Sequence, residues 1–338
     1  MGWQERVEEV SRARSYANEP VWDLIRKIRR DRSLRKDTRE RYLTTLYDSL
    51  SDKDVRQDIV MDAVKFGVGT SFRASMNALR RTKSYARAMG QDIFPGGNDK
   101  LRDRAFGEAL GIAVPKTYKK DARLEDVELI PRTILKPLKG SSSLAVFYVD
   151  DSCTLHSVRS SKTYASLAEA DREIRRYKDH ITVDRWVVEE AILDAANKLA
   201  NDFKVYSFYG FAGMFLEIDR SSSAKPRYAT YNANGEVIKR NSREITFEGT
   251  GVPPSIYELS NRISLASPVP FLRLDFHIGA EALYLGEITP HPGGVHAGAI
   301  YEELDQRLGR YFAEAEARLY LDLLNGKTFP EFRQAYGL

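Results

Sequence analysis

The chain has a single cysteine, Cys153, in 338 residues. That scarcity excludes an internal disulfide and any zinc site built on cysteines. Long apolar runs are missing too. No stretch approaches the roughly 20 uninterrupted apolar residues that a membrane-crossing helix needs, because charge or glycine breaks each candidate. The opening segment, MGWQERVEEV, is polar and acidic and carries no apolar signal core, so the expected location is cytoplasmic. Low-complexity tracts and internal repeats are absent as well. What the chain does have is apolar content of 42%, with 18 tyrosines and 15 phenylalanines, enough to exclude wholesale disorder and to fill two or three modest cores.

Charge is nearly balanced overall, at a formal +4, but one segment departs from balance. Ile25 to Arg41 (IRKIRRDRSLRKDTRER) is dense in arginine. Such a run forms a solvated helix face or a patch for an acidic partner. Nucleic acid is disfavoured as that partner, since no aromatics interleave the run and no recognised binding motif is matched.

From Gln4 to about Gly90 apolar residues recur at helical spacing, as in Val21-Leu24-Ile25-Ile28, Tyr42-Leu43-Leu46-Tyr47-Leu50 and Val55-Ile59-Val60-Ala63-Val64. A break at Gly67-Val68-Gly69 precedes a further helix over Ser71 to Met89. The character changes at Ile93-Phe94-Pro95-Gly96-Gly97, a turn signal. A short helix from Asp99 to Leu110 should end at Gly111 in a left-handed cap. Strand-like runs follow at Thr133–Pro137, Leu144–Val149, Trp186–Ile192, Phe203–Tyr209, Ala212–Ile218, Arg227–Tyr231, Val269–His277 and Ala282–Ile288. Helices are expected over Ser166–Tyr177, Ser255–Leu265 and Ala299–Leu324. Runs of strands with few helices between them indicate an α+β half behind an all-helical front region. The expected divisions are residues 1–92, 93–195 and 196–338.

Four constellations carry chemistry. Lys136 ends a strand and is followed by Lys139-Gly140-Ser141-Ser142-Ser143, a loop able to place cationic and N–H donors around phosphates; a plain hairpin with a solvated lysine is the alternative. Glu189 and Glu190 follow an apolar β-branched run, where a buried charge needs compensation. Asp202, Lys204 and Tyr206 share one strand face by two-residue alternation. Arg273 and Asp275 likewise share a face, as do Glu287 and Thr289 on the next strand, while Leu272, Leu274, Phe276, Leu283 and Leu285 make an apolar one. If a turn at Gly279-Ala280 pairs these strands, Asp275 and Glu287 come close enough to bridge a metal, with Arg273 beside them. Two carboxylates completed by phosphate oxygens suit Mg2+. His291, Gly293, Gly294 and His296 then offer a loop for an anionic substrate. A zinc site from His277, His291 and His296 is a further alternative.

In order along the chain, these pieces resemble the ATP-grasp superfamily, in particular its TupA-like branch, named for teichuronopeptide biosynthesis. The resemblance runs from about Asn98 to Gly298. It rests on Asn98-Asp99-Lys100, Gly111-Ile112-Ala113-Val114-Pro115, Leu135-Lys136-Pro137 with its Gly-Ser loop, Glu189-Glu190, and Asp202-Phe203-Lys204-Val205-Tyr206. Glu217-Ile218-Asp219-Arg220, Arg273-Leu274-Asp275-Phe276 and Gly286-Glu287-Ile288-Thr289-Pro290-His291-Pro292-Gly293-Gly294 complete it.

The resemblance implies an ATP-grasp fold, two α+β subdomains gripping ATP. It implies that Lys100, Lys136 and Lys204 contact the nucleotide, that Ser141, Ser142 and Ser143 cover its phosphates, and that Glu189 and Glu190 form an adenine and ribose hinge. Asp275 and Glu287 would be magnesium ligands, with Thr289, standing where many relatives have asparagine, or a water as the third. Arg273 and Lys204 would serve the transition state. The implied cofactors are ATP and Mg2+, and the implied activity is carboxylate–amine ligation through an acyl phosphate. The substrates would be small-molecule or polymer-linked carboxylates and amines, as in cell-surface polymer or peptide natural-product assembly. A phosphotransferase using the same nucleotide site, and a non-catalytic polyanion-binding module, are the alternatives. The helical first ninety residues depart from the α/β pre-domain that is common in the superfamily.

Overall fold

The computed structural model describes residues 19–48, 70–91, 100–138, 143–177, 181, 184–219, 226–242, 244–292 and 300–338, together with Gln4, Arg6 and Ala13. The helix read over Val55 to Val64, the break at Gly67-Val68-Gly69 and the turn at Ile93 to Gly97 lie outside the described residues. Two compact units emerge. One comprises Met1–Ser75 with Glu302–Arg310, the other Met76–Tyr301 with Tyr311–Leu338.

The first unit contains helices α1 (Glu19–Arg30) and α2 (Lys36–Asp48). They bury Ile25 against Leu43 and Tyr47, with Val21, Trp22, Ile28 and Leu46 at the margin. Most arginines of the basic run are solvent-exposed around this small core, namely Arg26, Arg29, Arg30, Arg32, Arg35 and Arg41, while Arg39 is half-buried and donates to the Asp31 and Leu34 carbonyls. In the same unit Asp305 is fully buried and accepts from Ser71 Oγ at 2.6 Å and from the Arg73 backbone N–H at 3.0 Å. Helix α3 (Phe72–Ala88) begins on those two contacts.

The second unit is α+β and is built on two six-stranded antiparallel sheets. Helix α4 (Lys100–Ala109) leads into it and stops at Gly111, whose φ of 64° is the left-handed cap expected there. The first sheet takes strands β1 (Thr117–Ala122), β2 (Thr133–Pro137), β3 (Phe147–Val149), β4 (Leu155–Ser157) and β5 (Thr163–Tyr164). Helix α5 (Leu167–Arg176) follows, and then β6 (Trp186–Glu190) completes the sheet in the order β1-β6-β2-β3-β4-β5. One face of this sheet packs Leu135, Phe147, Leu155, Trp186 and Val188 against Ala170 and Ile174 of α5. Strand alternation therefore turns Ile134, Lys136, Val187 and Glu189 to the opposite face.

The strand expected over Leu144 to Val149 is shorter than its apolar run. Ala145 has φ of 51°, a left-handed conformation that no strand residue adopts, so pairing starts at Phe147. Strand β1 went unrecognised because TYKKDA is polar and sits at the sheet edge, where Lys119 and Lys120 suit an unpaired flank.

The second sheet takes β7 (Asp202–Ser207), β8 (Ala212–Asp219), β9 (Arg227–Asn232), β10 (Val237–Ile238), β11 (Leu272–Ile278) and β12 (Leu283–Thr289), in the order β10-β9-β8-β7-β11-β12. Helix α6 (Pro254–Leu265) and the long α7 (Glu302–Leu324) follow β10 and β12, and α8 (Pro330–Tyr336) closes the described chain. Phe332 and Tyr336 pack edge-on against Phe106 of α4, with ring centroids 5.5 and 6.0 Å away.

Between β9 and α6 the chain folds back over the sheet. Glu217, fully buried on β8, accepts from Asn201 Nδ2 at 2.9 Å, the Thr250 N–H at 2.8 Å, Thr250 Oγ1 at 3.2 Å and Tyr231 Oη at 3.1 Å. Gly249 makes this approach possible: a Cβ there would lie 1.9 Å from Tyr231 Oη and 2.6 Å from both Ala229 Cβ and Glu217 Oε2. Gly249→Ala should therefore destabilise the protein by about 2 kcal/mol, as overpacking does. A urea titration checks this, and wild-type stability would contradict the packing described here.

Candidate functional site

The polar residues of the second sheet line up across three strands. On β11, Arg273, Asp275 and His277 stand directly opposite Tyr206, Lys204 and Asp202 of β7. On the other side Arg273 faces Thr289 and Asp275 faces Glu287 of β12. Strict alternation would put Leu285 on the same face as Glu287, in conflict with the apolar face the sequence suggests. The structure resolves this with a β-bulge. Asp275 pairs with Glu287 and the next residue, Phe276, pairs with Leu285, so Gly286 is the extra residue. Glu287 thereby stays on the polar face while Leu285 is buried among Leu272, Leu274 and Phe276. Glycine fits the bulge because a Cβ at 286 would sit 2.9 Å from His277 Nε2.

Asp275 is the centre of one cluster. Arg273 grips it with both ends of its guanidinium, Nε to Oδ1 at 2.7 Å and Nη2 to Oδ2 at 2.8 Å, and Nη2 also reaches Thr289 Oγ1 at 2.9 Å. Lys204 Nζ donates to Asp275 Oδ2 as well. Burial alone would raise this carboxyl, but Arg273 and then Lys204 outweigh it and hold Asp275 below the ordinary carboxylate range. Burial would likewise lower the Arg273 guanidinium, and Asp275 reverses that into a net rise.

Glu189 is the centre of a second cluster, on the face of the first sheet turned away from α5. Lys136 Nζ donates to its Oε1 and Arg104 Nη2 of α4 donates to its Oε2. All three side chains are close to 90% buried. Against the burial that would raise it, Lys136 and Arg104 keep Glu189 below its usual value. Lys100, one helical turn before Arg104, points its ammonium toward the Leu138 carbonyl at 3.5 Å. Burial and then the charge of Lys136 push Lys100 below the normal lysine range, while Glu287 and Glu189 act in the opposite sense.

The two clusters share one electrostatic environment. His277, its side chain 31% exposed, has Asp202 3.8 Å from Nδ1. Its imidazole is lowered first by burial, with Asp202 and Glu189 opposing and Lys136 and Lys204 reinforcing that shift. Helix α4 ties the clusters together physically. Asp103, buried, accepts from the Ile288 N–H of β12 at 3.1 Å and from Tyr336 Oη at 2.6 Å.

Of the residues that the sequence singles out, Lys100, Lys136 and Glu189 fall in one group, and Lys204, Arg273, Asp275 and Thr289 in the other, with Glu287 opposite Asp275. Glu190 does not join them. Alternation turns it to the other face, where its carboxylate accepts from the Lys116 N–H at 3.1 Å. Ser143 is described, with φ of 55°, and His291 is half-buried just after β12. Ser141, Ser142, Gly293, Gly294 and His296 lie outside the described residues. Sequence reasoning missed Arg104 and Asp103. The signal was the spacing of Lys100 and Arg104, four apart on one helix face.

A divalent ion fits this donor set on one condition. Asp275 already uses three of its roughly four acceptor positions, so it has room for a metal through Oδ1 only. Among the described residues no group of three or more His, Cys, Asp or Glu is arranged to hold an ion. A metal here therefore needs oxygens from a ligand, which is the habit of Mg2+ bound with phosphates.

Both central carboxylates are depressed, so their stabilisation is complete above the unfolded value near pH 4 and is withdrawn as pH falls through the lower folded-state values. Glu189→Gln should cost about 3 kcal/mol at neutral pH by leaving two buried cations without their counter-charge. It should also flatten the acid limb of the stability profile. Chemical denaturation across the acid range checks both, and an unchanged profile would contradict the ion pairing.

A family model described as TupA-like ATPgrasp matches residues 111–313. No curated protein matches the chain significantly. Similar solved structures include a D-alanine–D-alanine ligase from Bacillus anthracis complexed with ATP, at 15% identity over 73% of this chain and 75% of that one, with a TM-score of 0.39. The ATP-grasp ligase PsnB, complexed with a variant of its minimal precursor, Mg and ADP, is similar at 14% identity over 66% of this chain and 59% of that one, with a TM-score of 0.37. An L-amino acid ligase from Bacillus licheniformis is similar at 14% identity over 76% of this chain and 60% of that one, with a TM-score of 0.40.

Proposed function

Because this chain belongs to the TupA-like ATP-grasp family, we propose that it is an ATP- and magnesium-dependent carboxylate–amine ligase. The observation that carries this reading is the facing pair Asp275 and Glu287, flanked by Arg273 and Lys204 and within the electrostatic reach of Lys100. In this reading the sheet of residues 117–190 and the sheet of residues 202–289 are the two halves that grip the nucleotide.

Asp275 and Glu287 would hold Mg2+, which when bound would supply neutralisation of phosphate charge. The chain's own groups do the rest. Lys136 and Lys100 bind phosphate oxygens, and Lys204 and Arg273 face the transferring phosphoryl group, where negative charge is redistributed. Arg273, fixed by Asp275 and Thr289, enters the reaction already oriented and loses little freedom there. A substrate carboxylate attacks the γ-phosphorus and ADP leaves. An amine then attacks the resulting acyl phosphate, forming the amide and releasing phosphate. No side chain has to act as a nucleophile, and the lone thiol, Cys153, sits in the turn after β3, with the Leu129 carbonyl 3.7 Å from its sulfur.

The carboxylate and amine belong to a small molecule or to a polymer-linked substrate, in keeping with the cell-surface or peptide chemistry of the family's namesake. The basic helices of the first unit would serve acceptor choice or docking. Among the described residues no helix is long and apolar enough to cross a membrane.

Asp275→Asn and Glu287→Gln should each lower ATP turnover by about a hundredfold or more. Glu287→Gln should melt like the wild type, whereas Asp275→Asn should keep a native circular dichroism spectrum but lose about 3 kcal/mol of stability, because Arg273 and Lys204 lose their counter-charge. The measurement is ADP release against a panel of amino acids and carboxylates, with mass spectrometry of the product. Undiminished turnover in either variant refutes the metal assignment, and a phosphate ester in place of an amide refutes the ligase reading.

A further inference from the structure

Arg104 is buried deeper than any surface role requires, and its position is set by a helix bonded to both sheets. Helix α4 is held to β12 by Asp103, which takes the Ile288 N–H next to Glu287. Gly107 adds to that fastening: a Cβ there would lie 3.1 Å from Leu285 Cδ2 and 2.9 Å from Val114 Cγ1, so helix and strand lie in close contact. Just past the helix, the Leu285 N–H donates to the Ala113 carbonyl at 2.9 Å. One residue after Asp103, Arg104 reaches the other way and takes Glu189 Oε2 on the first sheet, while Lys136 holds Oε1 of the same carboxylate.

We infer that Arg104 is a positioning residue for the nucleotide site. It shares Glu189 with Lys136 and so keeps the Lys136 ammonium from being captured by that carboxylate alone. In this arrangement Glu189 is an internal counter-ion behind Lys136, not a hinge contact to adenine or ribose. Two observations separate this from a role in the fold alone. Arg104 Nη1 is buried with no hydrogen-bond partner among the described residues, an arrangement that costs about 1–3 kcal/mol. And α4 is bonded to both sheets, to β12 through Asp103 and to β6 through Arg104, so the distance between Lys136 and the Asp275–Glu287 pair is set through adjacent positions of one helix. Arg104 also precedes residues 111–313, the stretch the family model matches.

The inference rests on the proposed function, and one titration series tests both. Binding of MgATP is measured by calorimetry for the wild type, Arg104→Met, Arg104→Lys, Lys136→Met and the double variant Arg104→Met/Lys136→Met, each checked for folding by thermal melting. Failure of the wild type to bind MgATP removes the proposed function and this inference with it. If the wild type binds, Arg104→Met should weaken affinity about tenfold, with Arg104→Lys falling between the two. In the Lys136→Met background the same change should cost less than about twofold, because its route to the nucleotide is already gone. Unchanged affinity in a folded Arg104→Met, or an equal loss with and without Lys136, overturns the positioning role and leaves the nucleotide site standing. Should Arg104→Met not fold, Arg104→Lys carries the comparison, and wild-type affinity in that variant overturns the inference.

Discussion

Two carboxylates buried on facing elements, Asp275 and Glu189, stay ionised only because each is gripped by one arginine and one lysine. Removing a carboxylate from water without such partners costs several kcal/mol, and the group would protonate instead. The partners come from separate places in the chain. Glu189 draws on a strand 53 residues before it and a helix 85 residues before it, and Asp275 draws on a strand 71 residues before it. The second sheet must therefore be paired before the charge of Asp275 is tolerable, and the first sheet must have met α4 before that of Glu189 is. The fold assembles the site, and the site in turn constrains how the fold can close.

The division of labour inside each cluster follows from side-chain chemistry. Arginine presents a planar fork that can satisfy two acceptors at once, and Arg273 does so with Asp275 while still reaching Thr289. Lysine brings a compact charge on a flexible stem, able to change partners at little cost. Each carboxylate thus has one partner suited to holding and one suited to exchange. Thr289 is accounted for by the same geometry, since its hydroxyl caps the guanidinium that fixes Asp275.

Much of this was legible in the sequence, because two-residue alternation is a strong rule. It placed Asp202, Lys204 and Tyr206 on one face and Arg273 with Asp275 on another, and the register sets these faces against each other. The rule failed where the backbone departs from regularity. Gly286 inserts a bulge that alternation cannot anticipate, and Ala145 enters a left-handed conformation inside an apolar run. It also could not separate Glu189 from Glu190 without knowing which face packs on α5. Arg104, despite its spacing of four from Lys100, was hard to read for another reason. On a helix as charged as KLRDRAFGEA an arginine reads as solvated, and only a carboxylate 85 residues away shows that it is buried.

The bonds to Asp103 bear on the order in which this architecture forms. The one from Ile288 closes a separation of 185 residues and the one from Tyr336 a separation of 233. Contacts that span so much chain carry a larger loop-closure cost than local ones and form after the local hairpins and helices are in place. The hairpin of β11 and β12 can pair early, but α4 and the closing helix α8 can lock onto it only near the end of folding. Interactions absent from the transition state govern how fast a protein comes apart rather than how fast it assembles. Helix α4 with its Asp103 bonds is thus a kinetic latch: its integrity sets the lifetime of the finished site more than the speed of reaching it.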